Sequence, residues 1–245
     1  MIAACQRRAD RLLVERGLFE SRARAQAAIA AGLVTADGVQ VRKASDTIST
    51  TAAIKAVPEH PYVSRGGVKL AAALDAFALD ISGRVCLDVG ASTGGFTEVL
   101  VVRGARRVYA IDVGRGQLHP RLRERDEIVS LEQTDIRMLD PARLAEPPDF
   151  AAVDVSFISL KLVLPAIGKI LKQRASIVAL IKPQFEAKRN AIKKGIVRDA
   201  AVHQAVCDEI ATFVVSLGWR IGGRVPSPIL GGDVNREFFI EAERG

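Results

Sequence analysis

The chain has 245 residues, enough for one large domain or for a medium domain joined to a small one. Hydrophobic residues make up 49% of it, which supports a packed core and excludes a disordered chain. It is basic, with 35 Lys and Arg against 28 Asp and Glu, and residues 1–57 carry more than half of the net +7, so a polyanionic partner is indicated.

The first segment reads as two short helices and a hairpin. Residues Arg8 to Arg16 are amphipathic, and Gly17 ends them. Ser21 is placed to cap a second helix, Arg22 to Ala31, stopped by Gly32. Arg22 and Arg24 stand in the first turn of that helix. Its macrodipole disfavours cations there, so an external anion is expected to hold them. Leu33-Val34-Thr35 and Val39-Gln40-Val41 flank Ala36-Asp37-Gly38, and the Asp-Gly pair marks a tight hairpin turn.

This order of motifs resembles the S-four RNA-binding domain. The resemblance runs over Arg8 to Val14 with Arg16-Gly17, over Ser21 to Gln26, over Ala31 to Val34, and over Asp37-Gly38 with Lys43. Two details depart from the module: Asp37 replaces the commoner Asn, and Ala44 the Pro expected after the lysine. The resemblance implies that residues 1–57 bind RNA through Arg8, Arg11, Arg22, Arg24 and Lys43.

Val57-Pro58-Glu59-His60-Pro61 resists helix, and a linker is placed at 58–63. Arg65-Gly66-Gly67 then leads into a helix from Val68 to Phe77. Strands are expected at Val85–Val89, Arg107–Val113, Ile128–Gln133, Phe150–Val155, Ile177–Ile181, Trp219–Val225 and Phe238–Glu241. Helices are expected at Phe96–Arg103, Gln117–Arg123, Leu160–Leu171 and Ala200–Leu217. Alternating apolar strands and helices indicate an α/β domain over 64–245: a doubly wound, mostly parallel sheet. The last two strands have no helix between them and are expected to form an antiparallel edge hairpin.

The first strand runs into Asp88-Val89-Gly90-Ala91-Ser92-Thr93-Gly94-Gly95-Phe96-Thr97, a glycine loop in the strand-to-helix setting of a nucleotide site. Its spacing is not that of a dinucleotide fingerprint. Asp88 suits the ammonium end of a ligand better than a pyrophosphate. Asp112 ends the second strand, where ribose hydroxyls would be bound, and Asp135 follows the third, where an adenine amino group would be read. Three acids at successive strand ends favour S-adenosylmethionine over NAD, with Gly90, Ser92, Gly94, Gly95, Phe96 and Asp154 completing the expected cofactor site. Asp154 and Lys182 close the fourth and fifth strands and so face the same crevice.

Longer strings extend the resemblance over nearly the whole chain. They include Ser64 to Leu70, Asp112-Val113-Gly114, Asp154 to Leu160, Lys182 to Glu186, Gly195 to Asp199 and Ser227-Pro228-Ile229. The chain is similar to the TlyA family, an S-four domain fused to an FtsJ/RrmJ-like ribose 2′-O-methyltransferase. That likeness implies a Rossmann-like methyltransferase fold and a catalytic tetrad on Lys69, Asp154, Lys182 and Glu237. It further implies cytidine 2′-hydroxyls of small- or large-subunit ribosomal RNA as substrate, with Arg65 added to the RNA contacts. One motif departs: the family's final Gly-Pro-x-Gly-Asn-x-Glu is here Gly231-Gly232-Asp233-Val234-Asn235-Arg236-Glu237, without the Pro and the second Gly.

A ribose hydroxyl is a weak nucleophile, and a lysine takes its proton only when its own pKa falls from the reference ~10.4. Like-charge repulsion from Lys69 is expected to act on Lys182 in that direction. Positioning alone is the other source of rate. A base methyltransferase would want an Asn/Asp-Pro-Pro-aromatic motif or a nearby Cys, and Asp154-Val155-Ser156-Phe157 has neither prolines nor a neighbouring Cys. The non-enzyme alternative is an RNA-binding assembly factor with a vestigial methyltransferase fold. Cys5, Cys86 and Cys207 fit no disulfide framework or zinc spacing. No apolar run is long enough for a membrane span, and Met1 to Arg8 do not read as a signal peptide. A cytoplasmic, metal-free monomer is therefore expected. Some family members are called hemolysins, but the sequence offers no pore element.

Overall fold

A computed structural model of the chain describes residues 5–231 and 234–245. The chain divides between Pro61 and Tyr62 into two compact units.

In the first unit, β1 (Gln6–Arg8) leads into α1 (Ala9–Glu15), and α2 (Arg22–Ala30) follows. Ser21 caps α2, its hydroxyl accepting from the Arg24 amide. The strands β2 (Val34–Ala36) and β3 (Val39–Gln40) pair antiparallel. Asp37 and Gly38, both at positive φ, form the turn between them, as a two-residue hairpin demands. Three strands are not expected from the sequence: β1, its partner β4 (Thr47–Ser49), and β5 (Ile54–Ala56), which pairs with β2. A small core that includes Leu13, Phe19, Ile29 and Val34 sits beneath the helices.

The second unit is a seven-stranded sheet with helices on both faces. In chain order it contains α3 (Arg65–Ala76), β6 (Val85–Val89), α4 (Gly95–Val102), β7 (Arg107–Ile111), α5 (Pro120–Arg123), β8 (Ile128–Leu131) and β9 (Phe150–Val153). It continues with α6 (Leu160–Ile170), β10 (Ala175–Ile181), α7 (Pro183–Glu186), α8 (Ala200–Ser216), β11 (Arg220–Pro226) and β12 (Phe238–Arg244). The sheet order is β11-β12-β10-β9-β6-β7-β8. Strands β6 to β10 run parallel, while β12 is antiparallel to both β10 and β11. Side chains alternate across the sheet: Leu87, Tyr109 and Ile111 pack under α6 and α8, whereas Cys86, Val108 and Ala110 pack under α3 and α4.

Most element ends differ from the sequence expectation by one to three residues, and three of the differences have a local reason. Helix α3 begins at Arg65, not Val68, so Gly66 and Gly67 lie in its first turn. A side chain on Gly67 would strike Tyr62. Strand β7 stops at Ile111 because the Asp112 carboxylate turns back onto the chain, accepting from Gly114 N at 2.7 Å and Ser92 N at 2.8 Å. Helix α5 starts at Pro120 instead of Gln117 because Glu132 draws the preceding loop around itself. Its carboxylate accepts from the amides of Gly116, Gln117 and Leu118.

Candidate functional site

The strand order reverses between β6 and β9, and open parallel sheets bind ligands beyond the carboxyl ends of strands at such a point. The glycine loop leaves β6 there, and Asp154 leaves β9 beside it; its amide donates to Val89 O at 2.9 Å. Gly90 has φ +86°, and a Cβ on it would collide with the Asp154 carbonyl. Only glycine lets the loop pass this close to β9. Gly95 opens α4 against α3, where a Cβ would meet Ser64 Oγ.

Two cavities meet at this loop. The larger, about 480 Å³, is lined by Gly90, Ser92, Asp112, Asp135, Asp154 and Phe157 among others. The smaller, about 260 Å³, is lined by Arg65, Lys69, Gly95 and Phe96 and shares Gly90, Ser92 and Asp154 with the first. Gly94 and Asp88 are among the lining residues of neither.

The acids expected at successive strand ends meet different fates. Asp88 is wholly buried behind the loop, where Thr97 Oγ1 donates to its Oδ2 at 2.5 Å. Its Oδ1 is buried without a hydrogen-bond partner. Burial pushes the Asp88 carboxyl up to about 7, against the weaker opposing effect of the Thr97 hydroxyl. Asp112 lines the larger cavity while its two backbone hydrogen bonds fix its orientation. Asp135 lines it too, but both its oxygens are engaged by the Arg137 guanidinium, which holds its carboxyl below the usual range.

The four residues of the expected tetrad form two ion pairs. Lys69, on α3, places Nζ 2.5 Å from Glu237 Oε2, with side chains 11% and 3% exposed. Lys182, at the end of β10, places Nζ 2.6 Å from Asp154 Oδ1 and donates to Ser156 Oγ at 2.7 Å. Lys69 and Asp154 line the same cavity, so the pairs flank one space. The sequence sets Lys69 against Lys182 as like charges. Asp154 and Glu237, which the sequence reading has orienting the lysines, are the contact partners of the two ammoniums.

Several supporting residues are not apparent from the sequence. Ser156 fixes Lys182, and the signal was its place two residues after Asp154. Glu186 accepts from Ser159 Oγ at 2.5 Å and from Leu160 N at 2.7 Å, tying the segment after Lys182 to the start of α6. Asn235, 1% exposed, accepts from Val197 N at 3.0 Å and donates to Gly195 O at 2.9 Å. Of the altered loop before Glu237, Gly232 and Asp233 lie outside the described residues. Val234, at the position of the family's second glycine, has φ +55°.

In the first unit, Arg22 is held by an internal anion, a correction to the external one expected. Asp10 is wholly buried and accepts from Arg8, Arg22 and Gln26, joining the start of α1 to α2. Arg24 reaches Glu20 and the His60 carbonyl. Arg11, Lys43 and, in the second unit, Arg65 are exposed.

Residues 62–244 match the FtsJ-like methyltransferase family, and residues 7–54 match the S4 domain. The chain belongs to the FtsJ-like methyltransferase family. It is 44% identical over 236 residues to the 16S/23S rRNA (cytidine-2′-O)-methyltransferase TlyA of Mycobacterium tuberculosis, covering 95% of this chain and 88% of that one. It is 39% identical over 233 residues to Hemolysin A of Brachyspira hyodysenteriae, covering 94% and 97%. A solved structure from Streptococcus thermophilus that also carries the name hemolysin superposes with TM-score 0.78 at 43% identity, over 99% of this chain and 90% of the other. Among the described residues no helix is long and apolar enough to cross a membrane, and no cluster of His, Cys, Asp or Glu is arranged to hold a metal.

Proposed function

We propose that the chain transfers a methyl group from S-adenosylmethionine to the 2′-oxygen of cytidine ribose in ribosomal RNA. The observation that carries this reading is the pair of lysine–carboxylate contacts flanking one cavity beside a glycine loop, in a chain 44% identical to a methyltransferase named for that reaction. The residues fit the cofactor. The larger cavity has the size and the acid-lined wall for an amino acid joined to a nucleoside, and Asp112, held by two backbone amides, faces it. Gly90, Ser92, Asp112 and Asp135 would hold it there. When bound, it supplies a methyl group activated by a sulfonium.

The chain's own part follows from the ion pairs. An ammonium has three donors and no acceptor. Held against Asp154 and Ser156, Lys182 donates to the ribose oxygen and fixes its direction; Lys69, held by Glu237, does the same from the other wall. The acceptors in the set are Asp154 and Glu237, and the hydroxyl proton is directed at them. Placing the nucleophile within reach and in line is worth several powers of ten in rate, and the geometry favours this positioning over proton abstraction by a lysine. The S4 domain supplies the RNA grip through the exposed Arg11 and Lys43, while Arg8, Arg22 and Arg24, engaged by Asp10 and Glu20, shape the same surface. Transfer of tritiated methyl to isolated ribosomal subunits, followed by mapping of the modified nucleotide, tests the reading. Label in a base, or in no RNA at all, would overturn it.

A further inference from the structure

The segment after α7 has no role in the reading above. Between residues 188 and 198 it carries five cations, Lys188, Arg189, Lys193, Lys194 and Arg198, and no acid. All five are exposed. None is hydrogen-bonded or ion-paired through its side chain to any described residue, whereas arginines elsewhere on this unit, such as Arg103, Arg106 and Arg125, have carboxylate partners. Five like charges so close repel one another, and a fold that leaves them unneutralised suits a polyanion.

The segment is also held in shape. Lys193 and Ile196 exchange backbone hydrogen bonds at 3.0 Å across a turn made by Lys194 and Gly195, both at positive φ. Asn235 then holds the turn and the chain leaving it, accepting from Val197 N and donating to Gly195 O, and His203 Nε2 lies 3.0 Å from Val197 O. Asn235 is two residues from Glu237, and the segment starts two residues after α7, which follows Lys182 directly. The cations are thus fixed to the backbone of both ion pairs.

We propose that residues 188–198 form a phosphate-binding surface that seats the RNA backbone flanking the target nucleotide, a second RNA contact separate from the S4 domain. The inference rests on the RNA methyltransferase reading. An anionic membrane surface is the other polyanion to weigh. It would need an exposed apolar face beside the charges, and within this segment Ala191, Ile192 and Ile196 are half-buried while the exposed residues are the five cations, Asn190 and Gly195.

The test is the full-length chain against the variant Lys188→Glu/Arg189→Glu/Lys193→Glu, with protein-free ribosomal RNA from both subunits as probe. Affinity is read as a function of salt. We expect the Kd for RNA to rise at least tenfold and the slope of log K against log salt to shrink by ~0.7–0.9 for each phosphate that the variant no longer neutralises. The KM for RNA should rise more than kcat falls. The neutral variant with glutamine at the same three positions should move in the same direction by less, and it serves as the readout should charge reversal disturb folding. Unchanged Kd and slope in a wild type that methylates RNA would overturn this surface and leave the function standing. Loss of binding to phosphatidylglycerol vesicles with RNA binding intact would overturn it in favour of a membrane. A wild type that transfers no methyl to RNA would sink both readings.

Discussion

Lys69 Nζ and Glu237 Oε2 stand 2.5 Å apart, although 168 residues separate them in the chain. The contact joins α3 to the residue just before β12, and both side chains are nearly buried. Removing one partner strands the other charge, which costs ~3–5 kcal/mol, whereas replacing both with apolar residues is closer to neutral. We therefore expect Lys69→Met and Glu237→Leu each to destabilise the chain by ~3 kcal/mol in urea unfolding. The double variant should be more stable than either single one, yet inactive. Additive losses in this cycle would mean the pair is not coupled.

Asp88 gives a pH signature. Its folded carboxyl is pushed up to about 7, while an unfolded aspartate ionises near ~3.9. Between those values the folded state holds the extra proton, so this group's contribution to stability falls as pH rises from ~4 to ~7 and is level above that. Asp88→Asn should flatten the dependence, seen as a smaller loss of unfolding free energy between about pH 5 and pH 8.

Val234 has a left-handed backbone, φ +55°, that a β-branched residue adopts at a cost of ~1–3 kcal/mol. Glycine removes that strain and gives back part of the gain as unfolded-chain entropy. Val234→Gly should stabilise the chain by ~1 kcal/mol, or ~2–4 °C in Tm for a protein of this size. A lower Tm would show that the valine side chain contributes more than its backbone costs.

Asp10 is buried beneath Arg8, Arg22 and Gln26, and the Arg8 guanidinium foremost holds its carboxyl well below the usual carboxylate range. The depressed ionisation makes the stabilisation complete above pH ~4 and lost as pH falls below it. Asp10→Ala should destabilise the S4 domain by ~1–2 kcal/mol, the worth of its charged hydrogen bonds to half-exposed arginines, and speed hydrogen exchange in α1 and α2, with exchange in β6 unchanged. Exchange in α1 and α2 unchanged from wild type would show that Asp10 does not join the two helices.

The sheet was legible because its signals are local. Buried parallel strands such as Val85–Val89 and Ile177–Ile181, the latter extended back to Ala175 in the structure, read as apolar runs, and the Asp37-Gly38 turn fixed its hairpin. The three-residue strands β1, β4 and β5 are too short to carry a period, and only pairing makes them strands. At the site, Lys182 and Asp154 could be placed from strand ends alone, whereas Lys69 and Glu237 came from the resemblance. What sequence could not show is partnership across the chain: that Lys69 faces Glu237 rather than Lys182, that Arg22 is answered by Asp10, and that Asn235 holds residues 195–197. Each depends on contacts between residues far apart in sequence.

The central claim is ribose 2′-O-methylation with Lys182 as a residue that orients the nucleophile. The most direct measurement is mass spectrometry of nucleosides from ribosomal RNA incubated with cofactor and either wild type or Lys182→Ala, alongside the cofactor Kd of each. We expect 2′-O-methylcytidine with the wild type, a loss of at least a hundredfold with Lys182→Ala, and cofactor affinities within about threefold of each other, since Lys182 lies outside the glycine loop. Near-normal 2′-O-methylcytidine from Lys182→Ala, or a methylated base in place of a methylated ribose, would contradict the claim.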